Sequence, residues 1–223
     1  RMLVVTKKTL TEQVYQYLRE EITNLSLPPG TRIDISKVAK KLDVSLTPVR
    51  EAIHKLIQHG LVVARPYTGF FVIKLSPKDV EELFDLRKAL ELLAMRCIMQ
   101  NLDEQKVESL LSKVDRLIKK ASGEEVIKGV REFDGEFHLR FLIETSGNKW
   151  LSKLGNGVVD LLKMTTRMTL NPYVACKEHK DILEAMKARD VKLAGLLLEK
   201  HLDRSKQDAV EATKKAINEG GYL

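Results

Sequence analysis

Two cysteines, six prolines and one tryptophan in 223 residues leave several architectures without their materials. Cys97 and Cys176 each fall inside a helical pattern, so no disulfide framework is indicated. No apolar run reaches the roughly 20 residues that a membrane-spanning helix needs. No signal peptide is evident, and a cytosolic chain with no membrane partner is expected. There is no internal repeat, no low-complexity segment, no H-E-x-x-H and no adjacent His-Asp pair. These absences leave little for an enzyme of the common metal-hydrolase kinds. A length of 223 residues allows one or two domains with proper cores.

Charge is present, and unevenly. The formal total is +7, yet residues 1–75 hold 12 Lys and Arg against 6 Asp and Glu, while residues 76–223 hold 26 against 25. A basic surface that served only solubility would be spread along the chain. Concentrated at one end, it suits a polyanionic partner.

That basic portion is organised around Ile35–Gly60, ISKVAKKLDVSLTPVREAIHKLIQHG. Ile35, Val38, Ala39 and Leu42 recur at helical spacing. Asp43 breaks the run, Ser45 or Thr47 is placed to cap the next helix, and Pro48 stands in its first turn. The second helix buries Val49, Ile53, Leu56 and Ile57, leaving Ser45, Leu46, Thr47, Arg50 and His54 on or near its exposed N-terminal face. An ordinary helical hairpin has the same spacing. The β-rich runs Leu61–Val63 and Phe70–Ile73 around ARPYTG then predict a hairpin, which turns two helices into a winged helix-turn-helix, with Arg65, Tyr67 and Thr68 at the wing. Upstream, residues 1–8 read as a loose basic arm, and a first helix runs from Thr9 or Thr11 to about Asn24, ended by LPPG.

From Ser76-Pro77, a helix start, no strand signal appears. Helical periodicity covers about 77–100, 103–121, 124–146, 148–170, 173–189 and 190–218, which predicts an all-α antiparallel bundle. The expected organisation is a winged-helix domain over 1–75 and a helical domain over 76–223, coupled by a short junction.

Polar residues stand where that bundle needs apolar ones. Val130, Phe133, Phe137 and Phe141 form a stripe; Asp134 falls within it and His138 at its edge. His179 shares a face with Ile182, Leu183 and Met186, and His201 with Ala194, Leu197 and Leu198. Separate core histidines, each bonded to a carbonyl, are one reading. The other is a shared divalent-metal site, since one carboxylate and three neutral imidazoles are a transition-metal ligand set. Nitrogen ligation leans toward zinc or nickel, with manganese possible. Arg87 lies on the stripe Val80, Leu83, Arg87, Leu90, Ala94; it forms either a buried pair with Glu91 or a clamp for a carboxylate ligand. Arg167 and Asn171 are further candidates for such a cavity. Trp150 is expected to anchor packing, and Cys176 to be a small buried side chain.

The segment PPGTRI…VAKKLDVSLTPVREAIHKLIQHGLVVARPYTGFFV resembles the N-terminal domain of the GntR family of bacterial transcription regulators, over roughly Thr9 to Ile73. That resemblance implies a double-stranded DNA operator as partner and DNA-facing residues at Arg32, Ser45, Thr47, Arg50, His54, Arg65, Thr68 and Gly69. The sequence departs from the family at Leu46, where an Arg usually follows the Ser of the turn. EFDGEFH, SGN at 146–148, EHKDIL and EKHL resemble the ligand domain of the FadR-type branch, many members of which hold a metal with an Asp and three His. Asp134, His138, His179 and His201 match those positions, and LRKALE resembles the segment whose Arg contacts organic-acid effectors. The expected protein is a homodimeric, metal-binding regulator, a repressor modulated by a small carboxylate. A metal-dependent hydrolase with an accessory DNA-binding domain is the alternative, and a purely structural metal is a variant of the first reading.

Overall fold

The computed structural model describes residues 8–120, 123–166 and 172–219, so most of the expected basic arm falls outside the described residues. Helix α1, Leu10–Thr23, begins at Thr9, whose hydroxyl accepts from the Glu12 amide. It buries Val14, Tyr15, Leu18 and Ile22 at helical spacing. After the two-residue strand β1, Arg32–Ile33, Asp34 caps α2, Ile35–Leu42, by accepting from the Lys37 amide at 3.0 Å. The chain leaves α2 through Asp43 in the left-handed region, φ 52°, a conformation Asp tolerates better than most residues. Helix α3, Leu46–Gln58, buries Pro48, Val49, Ala52, Ile53 and Leu56. Ser45 holds the N-cap position but its side chain makes no capping bond.

Strands β2, Val62–Arg65, and β3, Gly69–Val72, form the predicted hairpin. The sheet has three strands in the order β1-β3-β2, all antiparallel, with Arg32 opposite Phe71 and Arg65 opposite Gly69. The short β1 carries too little sequence pattern to be expected in advance. It matters because it ties the connection before α2 to the wing.

Ser76 and Asp79 cap α4, Pro77–Gln100, reciprocally, and Pro77 sits in its first turn, where a missing N–H costs nothing. Then come α5, Glu104–Lys119; α6, Glu124–Gly135; α7, Lys149–Thr166; α8, Pro172–Lys187; and α9, Val191–Asn218. Asp103 and Asp190 cap α5 and α9. The bundle core runs from Ala94 to Leu202 and includes Phe133, Phe137 and Phe141. The segment expected as one regular helix over 124–146 is not regular. From Glu136 to Ile143 it widens into a π-helix, and a single 3₁₀ turn closes it. A π-turn advances less per residue than an α-turn, which brings His138 inward from the stripe edge that a 100° step predicts. Trp150, expected as a packing anchor, is 61% exposed, with Lys149 and Lys153 over its ring.

The two halves of the chain share more than a junction. Met164 of α7 is buried in the core built by α1, α3 and the sheet, and Leu161 packs beside it. Next to them Arg19 of α1 grips Asp160 of α7 through two bonds, Nε–Oδ2 at 2.5 Å and Nη2–Oδ1 at 2.7 Å. Asp160 is buried, and without Arg19 its charge would be faced by Lys163 at 3.6 Å in place of two short bonds, which is costly. Arg19→Ala is expected to destabilise the chain by on the order of 3 kcal/mol. Urea unfolding checks this, and a loss below about 1 kcal/mol would show that the pair does little to join the halves.

Candidate functional site

The first candidate surface follows from what α3 does not bury. Val49, Ala52, Ile53 and Leu56 face α1 and the sheet, so Ser45, Leu46, Thr47, Arg50 and His54 are turned outward, all exposed. Leu46, Arg50 and His54 follow one another at i, i+4 and i+8, one ridge along the helix. Beside it the wing tip is a turn closed by Thr68, whose amide and hydroxyl both donate to the Arg65 carbonyl, at 3.1 and 3.2 Å. Tyr67 stands fully exposed at that tip with φ 61°. The Arg65 guanidinium lies over the Phe71 ring, 4.6 Å from its centre. Gly69 adopts φ 113°, a conformation that favours glycine, and the Arg32 side chain lies against it. Arg32, Ser45, Thr47, Arg50, His54, Arg65 and Thr68 are each exposed and Gly69 is half-buried, with His54 edge-on to Phe70.

The second candidate lies inside the bundle. Asp134 and His138 come from α6 and its π-helical continuation, His179 from α8 and His201 from α9, and their ligand atoms all lie within 4.8 Å of one another. His138 Nε2 is 3.0 Å from His179 Nε2 and 3.1 Å from His201 Nε2. Asp134 Oδ1 stands 3.5 Å from His138 Nε2 and 3.7 Å from His179 Nε2. The three histidines are buried and Asp134 is half-buried.

Proton positions follow from the residues behind the ring. Glu91 Oε2 meets His138 Nδ1 at 2.6 Å, and Glu178 Oε2 meets His201 Nδ1 at 2.7 Å. Burial pushes the Glu91 carboxyl up, but the Arg87 and His138 charges outweigh it and hold it at about 2. Burial likewise raises Glu178, and bonds from His201 and Arg204 bring it down to about 2. Both acids are therefore ionised and only accept, so the Nδ1 of His138 and of His201 carries a proton and each Nε2 is turned toward the centre. Burial, and then the neighbouring imidazoles, drive His179 well below the usual histidine range, so it is neutral. Burial lowers His201 as well, partly offset by its bond to Glu178. Ring nitrogens about 3 Å apart must share a proton or a cation, and carboxylates behind the imidazoles are the usual support for a cation. His179 is the exception, its Nδ1 buried without a hydrogen-bond partner among the described residues.

The buried-pair reading of Arg87 is realised: its Nε donates to Glu91 Oε1 at 2.6 Å. Burial works against the guanidinium charge, yet Glu91 and Asp134 more than compensate. A cavity of about 50 Å³ opens beside it, lined among others by Arg87, Glu91, Asp134, His138, Val158 and Lys163. Lys163 is lowered by burial and by the Arg19 and Arg140 cations, with Asp160 acting in the opposite sense. Arg167 and Asn171 lie outside the described residues. Glu91 was legible only as a partner for Arg87. Glu178, held also by Arg204 through bonds of 2.7 Å, was not legible at all, although a carboxylate directly before His179 was a usable hint.

Cys176 is buried near Asp134, and burial first, then that carboxylate, pushes its thiol up to about 11. At pH 8 Cys176 of the native chain is expected to resist a thiol reagent and to be modified only on unfolding. Two fast thiols in the native protein would contradict this burial.

Known proteins resemble both halves of the chain. Residues 10–72 match the family model described as bacterial regulatory proteins, gntR family, and residues 82–204 match the FCD domain. The chain is 30% identical over 187 residues to the HTH-type transcriptional regulator YdhC of Bacillus subtilis, covering 82% of this chain and 83% of that one. It is 26% identical over 225 residues to the HTH-type transcriptional repressor RspR of Escherichia coli, covering 94% and 91%. Its fold is similar to that of a GntR transcriptional regulator from Rhodococcus sp. RHA1, with a TM-score of 0.74, 24% identity, and 91% and 98% of the two chains covered. With family models matched over both halves and a relative 30% identical along most of its length, the chain belongs to the gntR family of bacterial regulatory proteins, as a transcription regulator with an FCD domain.

Proposed function

We propose that this regulator is a cytoplasmic homodimeric repressor whose grip on a DNA operator is modulated by a small carboxylate bound beside a divalent metal. The observation that carries the reading is the meeting of three imidazole nitrogens and one carboxylate within 4.8 Å, with glutamates holding the outer protons of two rings. Asp134, His138, His179 and His201 are the ligands, and nitrogen-rich ligation favours zinc or nickel over manganese. An ion held there would supply positive charge to an anion entering the adjoining cavity. Arg87, held by Glu91, keeps a second positive charge at the cavity wall, and Lys163 faces the same space.

Helix α7 connects that cavity to the DNA-binding half. Val158, Val159 and Lys163 line the cavity, whereas Asp160 and Met164 are held by Arg19 and by the winged-helix core. A ligand that favours one placement of α7 thereby favours one placement of α3, provided its affinity for the two arrangements differs. Residues 1–75 and 76–223 act as the reading and sensing units.

The homodimer has support of its own. Leu86 and Leu93, 43% and 42% exposed, stand seven residues apart on the outer face of α4, a spacing that suits a helix–helix seam. Antiparallel to a second copy, Leu86 faces the partner's Leu93, and Glu82 and Arg96, at opposite ends of the stripe, come within reach of the opposite charge. Paired recognition helices then read a two-fold operator.

Metal content measured by elemental mass spectrometry on tag-free protein tests the centre. About one ion per chain is expected, lost in Asp134→Ala and His201→Ala; in Glu178→Gln, affinity falls about 10- to 100-fold. No metal after incubation with zinc, nickel or manganese returns the four residues to core polarity. Retained folding after chelation, with altered carboxylate binding, separates a sensing ion from a structural one. For the dimer, Leu86→Glu together with Leu93→Glu is expected to sediment as a monomer and to lose more than about tenfold in operator affinity. An unchanged dimer places the interface elsewhere.

A further inference from the structure

The ridge Leu46–Arg50–His54 carries one residue whose chemistry the DNA-binding reading has not yet used. Leu46 opens the recognition helix α3 and is 44% exposed, while the residues that follow it on the inner face, Pro48 and Val49, are buried. Its side chain is therefore not part of the winged-helix core. It stands between two exposed hydroxyl residues, Ser45 and Thr47, and one turn before exposed Arg50. The Ser45 hydroxyl makes no capping bond, so the end of the helix has polar groups available in addition to the leucine. Glu51, the acid on this stretch, is already engaged by the Thr11 hydroxyl at 2.6 Å, which draws its charge toward α1 and away from the ridge.

In the major groove the single apolar feature on a base edge is the C5-methyl of thymine; guanine offers O6 and N7 to a guanidinium. An exposed leucine at the N-terminal end of a recognition helix has no hydrogen bond to give or accept. Opposite any other base edge it would cover a polar group without pairing it, at a cost. We propose that Leu46 is a specificity-determining residue that reads a thymine methyl in each operator half-site, within a base pair or two of a guanine read by Arg50. The inference rests on α3 being the recognition helix, and it sets operator preference rather than overall affinity, most of which comes from phosphate contacts by basic residues.

The test uses the full-length chain and an operator selected from random-sequence DNA at fixed salt. Each thymine of the half-site is replaced in turn by uracil, which removes only the methyl. Wild type is expected to bind about three- to fivefold more weakly at one position per half-site, the value of one buried methyl. Leu46→Ala is expected to be indifferent to that same replacement, and Leu46→Arg to prefer guanine there. Leu46 is exposed, and circular dichroism confirms that both variants fold. Wild type insensitive at every thymine, or selected sites lacking thymine beside the guanine, overturns the role of Leu46. If in that case Arg50→Ala still abolishes selective binding, the recognition-helix reading stands without it. If Arg50→Ala leaves both affinity and sequence preference unchanged, the recognition-helix reading itself fails, and Leu46 with it.

Discussion

The constraint on which the bundle depends is the crowding of polar atoms at its centre. His138 Nε2 lies about 3 Å from the Nε2 atoms of both His179 and His201, all three rings buried, with one carboxylate at the margin. Ring nitrogens this close are unfavourable neighbours, and the chain supports two of the rings from behind. Glu91 and Glu178 accept the outer protons, and Arg87 and Arg204 keep those acids ionised. The helices α4, α6, α8 and α9 are thus tied by directional bonds as well as by apolar packing. Such networks specify one arrangement more sharply than leucines alone, because a shift of one side chain leaves a buried charge unpaired.

The same arrangement explains the local irregularity. A regular α-helix over residues 124–146 keeps His138 at the edge of its stripe. The π-helical stretch turns it inward while Phe137 and Phe141 stay buried on the same side. Wide turns of this kind are uncommon and recur where a side chain must be re-aimed. Helix α7 shows the complementary economy, since neighbouring residues on it serve two different places. Asp160 and Met164 belong to the winged-helix half, and Val158 and Val159 belong to the cavity. A rigid helix with two such attachments has no neutral position: what fills one side bears on the other.

Much of this was legible beforehand because it is local. Thr9, Asp34, Ser76, Asp103 and Asp190 mark helix starts by the hydrogen bonds their side chains make within three residues. Val49, Ile53 and Leu56 declare the inner face of α3 by period alone, and the outward face follows by subtraction. Asp134, His138, His179 and His201 were readable for a related reason: each breaks an apolar stripe, and a polar residue on a core face needs an explanation that a solvent-facing one does not. The two-residue β1 and the π-turn were not readable, since neither carries enough residues to establish a period.

The sequence by itself determined the order of the elements, the location of the basic charge, the outward ridge of α3 and the identity of the four central side chains, because each of these rests on spacing along one helix or hairpin. Only the tertiary structure decided that the four meet at one point, that Glu91 and Glu178 stand behind two of them, and that Arg19 is locked to Asp160, 141 residues away. Trp150, expected inside by its type, was placed outside by the same packing. The physical reason is one of range. Periodicity tells which face of a helix is turned inward, but which side chains meet there depends on how the helices cross and how far along their axes they slide, and no single helix contains that information.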